Sequence, residues 1–311
     1  MYLDIILIIF GFLLLIYGGD RVCCGASAIA MRLHISQFVI GMTIVAISTS
    51  APELTTSIVA ALNGHPEIVL GNVIGSNLVN IGFAGGLVAL IKPFDIPFHI
   101  AEVPFFCLIS CVFGILVLVS KITAFEGIFL CLLGFLYMIY ICRSDRRTLY
   151  PQKDKVFKKI AKKIHLGRSF GTFFWGIGLL LVGAEMVIRY STVIANEMEW
   201  TDSLVGFTII AIGTSFPEII TSLVASLRGY GSICIGNIVG SNIFNILFIV
   251  GASACICPLP IENHLRLFGV PSFVALTSIM GFLLATRRTI NRFNGFILLV
   301  LYLVFFYFIV N

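Results

Sequence analysis

A polar motif that occurs twice in a strongly apolar chain constrains the fold more than any other feature of the sequence. The first copy, A-I-S-T-S-A-P-E, ends at Glu53, and the second, A-I-G-T-S-F-P-E, ends at Glu218, 165 residues further on. The same offset relates G-N-V-I-G-S-N-L-V-N at 71–80 to G-N-I-V-G-S-N-I-F-N at 236–245. The chain therefore consists of two similar halves, each with a carboxylate inside an apolar stretch.

The composition is typical of a membrane protein. Of the 311 residues, 59% are hydrophobic and 11% are charged, and the mean hydropathy is +1.07, whereas soluble domains average about 25% charged residues. A membrane helix needs about 20 apolar residues, so this length accommodates about ten spans and little else. The sequence thus predicts an all-α polytopic membrane protein with helices at approximately 3–30, 37–62, 68–91, 103–119, 124–142, 170–195, 203–227, 232–255, 267–285 and 293–310. Gly18, Gly19 and Asp20 are expected to interrupt the first helix.

The distribution of basic residues predicts the orientation of these helices, because lysine and arginine favour cytoplasmic loops. With the N-terminus outside, most basic residues fall in inner loops, including the cluster from Arg143 to Arg168. The acidic residues Glu197, Glu199 and Asp202 then fall outside. Both termini are therefore predicted to lie outside, and the basic residues, scattered over cytoplasmic edges, do not favour nucleic-acid binding. No obligatory protein partner is indicated.

The spacing of the repeat predicts three units: a first five-helix repeat at 1–142, a basic cytoplasmic linker at 143–168 and a second five-helix repeat at 169–311. The linker is interpreted as a solvated loop, with binding of lipid headgroups or of a partner as the alternative. Because five spans separate equivalent positions, the second repeat must cross the bilayer inverted relative to the first. Inverted repeats are typical of transporters that work by alternating access, with the site near the midplane.

The motif itself points to a bound cation. A carboxylate near the bilayer centre costs about 2.5–3.5 kcal/mol and is normally tied to function. Pro52 and Pro217 lack an N–H and clash with the carbonyl four residues earlier, so each helix is expected to kink or break there. Carbonyls freed near 46–48 and 211–213 must then line a cavity or bind a ligand, and a cation is the natural ligand.

Helical spacing adds further oxygen donors. In the first half these are Ala46, Thr49, Ser50 and Glu53 on one helix face and Asn72, Ser76 and Asn80 on another; in the second half they are Ala211, Thr214, Ser215 and Glu218, and Asn237, Ser241 and Asn245. Such oxygens suit calcium, which takes six to eight oxygen ligands, and also sodium, whereas the absence of Cys and His argues against zinc or copper. Two carboxylates neutralise one divalent or two monovalent ions, which is a physical basis for exchange.

Other interpretations of the same residues remain open. The Ser-x-x-Glu spacing in both copies also fits a capping box, in which the glutamate only closes the restarted helix. The G-x-x-x-G spacings at 71–75 and 236–240 are interpreted as packing surfaces rather than ligands. Asn77 and Asn242 are interpreted as residues that hold helix turns together rather than contact an ion.

Outside the motif, Asp20 and Glu185 are also related by the repeat. They are interpreted as interfacial carboxylates, with guarding of ion entry as the alternative. Arg189 lies one turn after Glu185 and is expected to pair with it. The nine cysteines show neither metal-ligand spacing nor the density of a disulfide scaffold, so free thiols are expected.

The two motifs resemble the alpha-repeats of the sodium/calcium exchanger family, within the cation/calcium exchanger superfamily, in its short prokaryotic form. The resemblance is carried by A-I-S-T-S-A-P-E and A-I-G-T-S-F-P-E, each followed by G-N-x-x-G-S-N-x-x-N. It implies a ten-helix fold in the lipid of a prokaryotic inner membrane and electrogenic antiport, with sodium entry driving calcium out. The implied ligands are the transported calcium and sodium ions, with no cofactor.

Carried over by position, the resemblance implies these ion ligands: Ala46 through its carbonyl, Thr49, Ser50, Glu53, Ser76 and Asn80, then Ala211, Thr214, Ser215, Glu218, Ser241 and Asn245. Asn245 is a departure, because several prokaryotic and potassium-dependent relatives have Asp there. The site therefore has only two acids, which puts potassium dependence in doubt.

Several functions compete with sodium-driven calcium exchange. Potassium-dependent exchange and calcium/proton exchange are the alternatives within the superfamily, although the Gly-Asn-x-x-Glu pattern of calcium/proton exchangers is absent. An intramembrane hydrolase with Glu53 or Glu218 as general base is disfavoured, because no catalytic His, Cys or H-E-x-x-H pair accompanies them. A cation channel is disfavoured by the inverted duplication. The chain is not expected to be an enzyme.

Overall fold

The computed structural model describes residues 2–95, 103–118, 121–144, 163–198, 211–286 and 289–310. Several sequence predictions concern residues outside these ranges. They are the basic segment 145–162, the predicted start of the seventh helix at 203–210, and the charges of Glu199 and Asp202.

Helices make up nearly all of the described chain. In chain order they are α1 (Tyr2–Leu33), α2 (Gln37–Ile40), α3 (Ala46–Thr49), α4 (Ala51–Leu62), α5 (Glu67–Leu78), α6 (Gly85–Ile91), α7 (Val103–Leu116), α8 (Ala124–Ser144), α9 (Leu166–Glu197), α10 (Ala211–Thr214), α11 (Phe216–Leu227), α12 (Gly231–Phe244), α13 (Gly251–Ile256), α14 (Val270–Thr286) and α15 (Arg292–Val310). Within the described ranges, four stretches are π-helical: Gly41–Val45, Val79–Ala84, Asn245–Val250 and Leu265–Gly269. The prediction of a predominantly helical chain is confirmed.

The lengths of these helices bear on the number of membrane spans. Among the described residues, six continuous helices are long and apolar enough to cross a membrane, and the bent pair at Gln37–Leu62 makes a seventh. Three shorter apolar helices are Pro104–Leu116, Phe216–Leu227 and Arg292–Phe308. Each of these helices coincides with a predicted stretch. The count of ten spans stays a prediction, because parts of the predicted fourth and seventh stretches lie outside the described residues.

The first helix is continuous, so the expected interruption at Gly18 is wrong. A Cβ atom built at Gly18 would lie 2.8 Å from the carbonyl oxygen of Gly176, and one at Gly176 would lie 2.7 Å from the amide nitrogen of Val22. Glycine is therefore required for the close approach of α1 and α9, as is usual where membrane helices pack tightly. These glycines allow packing without breaking the helix.

The predicted proline breaks are confirmed in both halves. Pro52 and Pro217 lie in the first turn of α4 and α11, where a missing N–H leaves no intrahelical bond unmade. The helix axis turns by 46° between Gln37–Thr49 and Ala51–Leu62. In the second half the helix is interrupted at Ser215, between α10 and α11.

The two spans that contain the G-N-x-x-G-S-N-x-x-N motifs lie at the centre of the molecule. In the most apolar windows of Glu67–Ile91 and Gly231–Ile256, 72% and 94% of residues are buried, compared with 22% for Tyr2–Leu33. The outer helices instead expose large apolar side chains such as Phe125 and Trp175. The polar motifs are therefore enclosed by protein.

The glycines of the second motif pack against the first half. A Cβ atom at Gly240 would lie 2.6 Å from the carbonyl oxygen of Met42, and one at Gly236 would lie 3.1 Å from the Cα atom of Gly41. The predicted packing surface at 236–240 is therefore confirmed. For 71–75 it stays a prediction, because the repeat-related partners at 203–207 lie outside the described residues.

Two short β-ribbons occur beside the helices of the described chain. β1 (Phe94–Asp95) pairs antiparallel with β4 (Thr289–Ile290), and β2 (Lys121–Ile122) pairs antiparallel with β3 (Leu259–Pro260). Each ribbon joins a connection of the first half to one of the second half. Strands of two residues are too short to show the alternating pattern from which a strand is predicted.

Candidate ion-binding site

Glu53 and Glu218 lie in one buried cluster. Each is in the first turn of a restarted helix, and their exposed fractions are 0% and 1%. The Ser50 hydroxyl donates to Oε1 of Glu218 at 2.9 Å, and the Ser215 hydroxyl donates to Oε1 of Glu53 at 3.1 Å. Each glutamate is thus bonded by the serine of the other motif copy, so the two motifs meet in space.

These contacts exclude the capping-box interpretation. Ser50 and Ser215 are the N-cap residues of α4 and α11, but neither side chain makes a capping hydrogen bond. The hydroxyls instead donate to the opposite carboxylates. Hydrogen bonds to a carboxylate are stronger than neutral ones, and a buried carboxylate needs such partners.

The central spans contribute Ser76, Asn80, Ser241 and Asn245, and all four are buried. Ser76 lies beside the carboxyl group of Glu53. Together with the serine–glutamate pairs, these residues place the predicted side-chain donors of both halves in the enclosed interior.

Asn77 and Asn242, the repeat-related asparagines that follow the serine in each G-S-N sequence, have different hydrogen-bond partners. The Asn242 amide donates to the Ile238 carbonyl at 2.7 Å, within its own helix, as expected for a residue that holds a helix turn together. Asn77 instead accepts a hydrogen bond of 2.9 Å from the Asn245 amide of the other half. The interpretation of Asn77 as a purely local residue is therefore wrong.

Several buried oxygen atoms of the cluster have no hydrogen-bond partner among the described residues: Oε2 of Glu53, Oε2 of Glu218, Oδ1 of Asn80, Oδ1 of Asn245 and Oγ of Ser241. Buried polar atoms are nearly always bonded, and hard oxygens of this kind are what calcium binds. No group of three or more His, Cys, Asp or Glu that could hold a metal ion occurs in the described parts of the chain. The donors here therefore do not suit zinc or copper.

The short helices before each break hold the remaining predicted positions. In α3, Thr49 is fully buried, and in α10, Thr214 is buried and Ala211 is the first residue. The Ala46 carbonyl accepts the Ser50 N–H at 3.0 Å, and the Thr49 hydroxyl lies 3.3 Å from the same oxygen. The expectation that proline frees this carbonyl is therefore wrong, because the helical turn from Ala46 to Ser50 remains intact before the break.

Asn72 and Asn237 were predicted to belong to the same polar faces, but their amides bond to the backbone of the glutamates. The Asn72 amide donates to the Glu53 carbonyl at 3.1 Å, and the Asn237 amide donates to the Glu218 carbonyl at 3.3 Å. Each amide also donates to the hydroxyl of a serine that lies one turn after the glutamate, in the glutamate's own helix. They therefore hold the restarted helices against the central spans.

Two π-helical stretches at the ends of the motifs were not predicted. Val79–Ala84 begins one residue before Asn80, and Asn245–Val250 begins at Asn245 itself. π-Helical turns inside α-helices are frequent at functional sites. They arise from a shift in backbone hydrogen bonding for which the hydrophobic pattern has no signal.

The repeat-related carboxylates outside the motif, Asp20 and Glu185, have different surroundings in the two halves. Asp20 is buried and forms ion pairs with Arg21 and with Arg228, which follows α11. Its counterpart Glu185 is exposed, as is Arg189, and the ion pairs of the described residues include none between these two. The expected Glu185–Arg189 pair is therefore wrong. None of the nine cysteines, all of which lie in the described ranges, forms a disulfide bond, so the prediction of thiols is confirmed.

Comparison with known proteins adds independent evidence. The family model described as sodium/calcium exchanger protein matches residues 3–143 and 168–311. The chain is 35% identical over 297 residues to the inner membrane protein YrbG of Escherichia coli, covering 93% of this chain and 90% of that protein. It is 34% identical over 313 residues to the putative antiporter CaxA of Alkalimonas amylolytica, covering 97% of each.

The fold matches that of a solved sodium-calcium exchanger, NCX_Mj, with a TM-score of 0.85 and 30% identity over 97% of each chain. The chain is accordingly a polytopic membrane protein. The family consists of cation antiporters, which are transporters and not enzymes, so the hydrolase and channel alternatives do not fit it. Because the family model covers both halves and all but the connecting segment, this chain belongs to the sodium/calcium exchanger family.

Proposed function

We propose that this chain is a sodium-driven calcium antiporter. The observation that carries the proposal is the reciprocal pair of hydrogen bonds, Ser50 to Glu218 and Ser215 to Glu53, which holds two carboxylates with unpaired oxygens in one buried cluster. Two carboxylates balance one calcium ion or two sodium ions. Either ion can therefore neutralise the cluster, but both cannot do so together, which couples the movement of one to the other.

The proposed ion ligands are hard oxygens from both halves: Ala46 (carbonyl), Thr49, Ser50, Glu53, Ser76, Asn80, Ala211 (carbonyl), Thr214, Ser215, Glu218, Ser241 and Asn245. The buried side chains and the unpaired oxygens among them support this assignment. A calcium ion takes six to eight oxygens, so this set exceeds the needs of one calcium ion. The surplus fits a larger number of sodium ions in its place.

The transport mechanism is proposed to be alternating access between inverted repeats at 1–142 and 169–311, with five spans each, joined by a cytoplasmic linker at 143–168. Both termini would lie outside the inner membrane of a prokaryotic cell. The repeat-related contacts across the cluster support this organisation, since each serine–glutamate bond has its counterpart at the same offset. Exchange of conformation between two such halves opens a shared site to one side and then to the other.

Potassium and protons are proposed to have no required part in this cycle. Asn245 provides a neutral amide where an acid would add a third negative charge, and its amide group is bonded to Asn77. With two carboxylates, a calcium ion already neutralises the site. Potassium-dependent and proton-coupled exchange are the competing proposals, and they are separable in the assay below.

The test is calcium uptake into vesicles that contain the purified protein. Vesicles loaded with sodium and diluted into sodium-free buffer are expected to accumulate labelled calcium, and to stop when the sodium gradient is removed. Glu53→Gln and Glu218→Gln are each expected to abolish uptake, since a single carboxylate leaves a calcium ion unbalanced. Glu67→Gln is the control, because this side chain is 42% exposed and its ion-pair partner is the exposed His65, outside the cluster.

Uptake that ignores the sodium gradient, or full uptake by both site variants, contradicts the proposal. Uptake that requires potassium, or that responds to an imposed proton gradient without sodium, would support the corresponding alternative instead.

A further inference from the structure

One buried asparagine joins the two halves of the cluster. Asn237 in α12 has no exposed surface. Its amide nitrogen lies 3.3 Å from the carbonyl oxygen of Glu218 and 3.0 Å from the hydroxyl of Ser222, both in α11. Its amide oxygen lies 3.2 Å from the hydroxyl of Thr49 in α3 of the first half. All the polar atoms of this side chain are therefore engaged.

The neighbours of Asn237 determine how its amide is oriented. A backbone carbonyl can only accept a hydrogen bond, so the amide nitrogen must face Glu218. The amide oxygen must then face Thr49, and the Thr49 hydroxyl must be the donor in that contact. Two other acceptors lie near this hydroxyl, the Ala46 carbonyl at 3.3 Å and the carboxyl group of Glu218, and the Asn237 oxygen competes with both for its single proton.

The direction of the Thr49 proton matters for ion binding. A cation binds a hydroxyl through the oxygen lone pairs, so a hydroxyl ligand must direct its proton elsewhere. When an acceptor outside the cluster takes this hydrogen bond, the lone pairs of the hydroxyl oxygen are left free to bind the ion. Preparation of this kind lowers the cost of ordering a ligand at the moment of binding.

We propose that Asn237 is a positioning residue that links the two halves of the ion site. It directs the Thr49 proton away from the ion, and through the same amide it holds the first turn of the helix that carries Glu218. The inference rests on the proposed exchange function and adds a residue that contacts no ion. Asn72, its counterpart in the first half, also donates to the backbone carbonyl of its glutamate, Glu53, but it is only partly buried.

The test compares variants by their half-saturating calcium concentration in sodium-loaded vesicles. Asn237→Leu keeps the branched shape of the side chain and replaces its amide oxygen and nitrogen with methyl groups, and it is expected to raise this concentration about tenfold. Ser222→Ala is the matched control, because it removes one partner of the amide nitrogen but leaves the Thr49 contact, and a change below about threefold is expected. Asn237→Ala repeats the test without an apolar branch in case leucine prevents folding.

A second comparison separates positioning from packing. Thr49→Val is expected to raise the half-saturating calcium less in the Asn237→Leu background than in the wild type, because Asn237→Leu has already released the hydroxyl whose orientation makes Thr49 an effective ligand. The temperature of thermal unfolding in detergent is measured for each variant to follow packing alone.

Three results would overturn the inference. One is an Asn237→Leu protein that unfolds at a lower temperature while its half-saturating calcium matches the wild type. Another is Ser222→Ala with as large an effect as Asn237→Leu, and the third is independent effects of Thr49→Val and Asn237→Leu. Failure of the exchange function itself appears separately, as retained uptake in Glu53→Gln and Glu218→Gln.

Discussion

The contact between Asn77 and Asn245 allows a quantitative test of how the site is held. Both side chains are fully buried, and the Asn245 amide nitrogen donates to Oδ1 of Asn77 at 2.9 Å. This bond leaves Oδ1 of Asn245 unpaired, so the oxygen is available as an ion ligand. Asn77→Ala removes the acceptor and leaves the Asn245 amide nitrogen buried without this partner.

The size of the effect follows from burial. A buried donor left unsatisfied costs about 1–3 kcal/mol, and each 1.4 kcal/mol is about tenfold in an equilibrium constant. If Asn245 must hold this orientation to bind calcium, the cost appears in the binding step. Half-saturating calcium for uptake is therefore expected to rise about 5- to 150-fold in Asn77→Ala.

Asn242→Ala is the matched control for this change, because it substitutes the repeat-related asparagine. Asn242 donates to a carbonyl of its own helix, so its loss weakens one helix turn and is expected to change half-saturating calcium less than about threefold. Both proteins are compared with the wild type at saturating sodium gradient. A cycle with Asn245→Ala then measures the coupling between the two partners.

The reasoning would be refuted by either of two outcomes. The first is an Asn77→Ala protein with the calcium dependence of the wild type. The second is an Asn77→Ala change that weakens calcium uptake equally in the presence and absence of the Asn245 side chain, since Asn77 would then act by another route.

Two further predictions concern stability, measured as the temperature of thermal unfolding in detergent. Gly18→Ala is expected to lower the unfolding temperature, because the new Cβ lies 2.8 Å from the Gly176 carbonyl oxygen and overpacking costs about 1–3 kcal/mol. Gly178→Ala is the control, because its Cβ has no neighbour within 4 Å among the described residues, and it should lower the unfolding temperature little or not at all. Equal losses in the two variants would argue against close packing at Gly18. Asp20→Asn is expected to cost only about 1 kcal/mol, because the side chain of Arg228 is 51% exposed and solvent can take up its charge; a much larger loss would contradict this.

The sequence by itself was sufficient for the features that depend on local chemistry. The low charge and apolar runs indicated membrane helices, and the described helices coincide with the predicted stretches. Pro52 and Pro217 predicted the breaks, since a proline ring excludes a regular helix wherever it occurs. The repeated motif also predicted a cation site with two carboxylates, because each copy of the motif has a glutamate among oxygen donors.

The sequence predictions that were wrong concern residues whose structural role depends on their neighbours in the fold. Gly18 is a helix breaker by propensity, but the facing backbone of α9 makes a glycine necessary for packing. Ser50 fits a capping box by spacing, but an opposite carboxylate is the better acceptor. The two β-ribbons pair connections that lie far apart in the chain, and two-residue strands have no pattern of their own.

The partners of the site residues were decided only by the tertiary structure. Helical spacing determines which residues share a face, and so it correctly grouped the oxygen donors of each half. It contains no information on which atom of the other half each donor meets. The packing of residues about 165 positions apart decided that Ser50 bonds to Glu218, that Asn245 bonds to Asn77 and that Asn237 bonds to Thr49. The sequence thus determined the kinds of donor in the site, and the contacts between the halves determined how those donors are oriented.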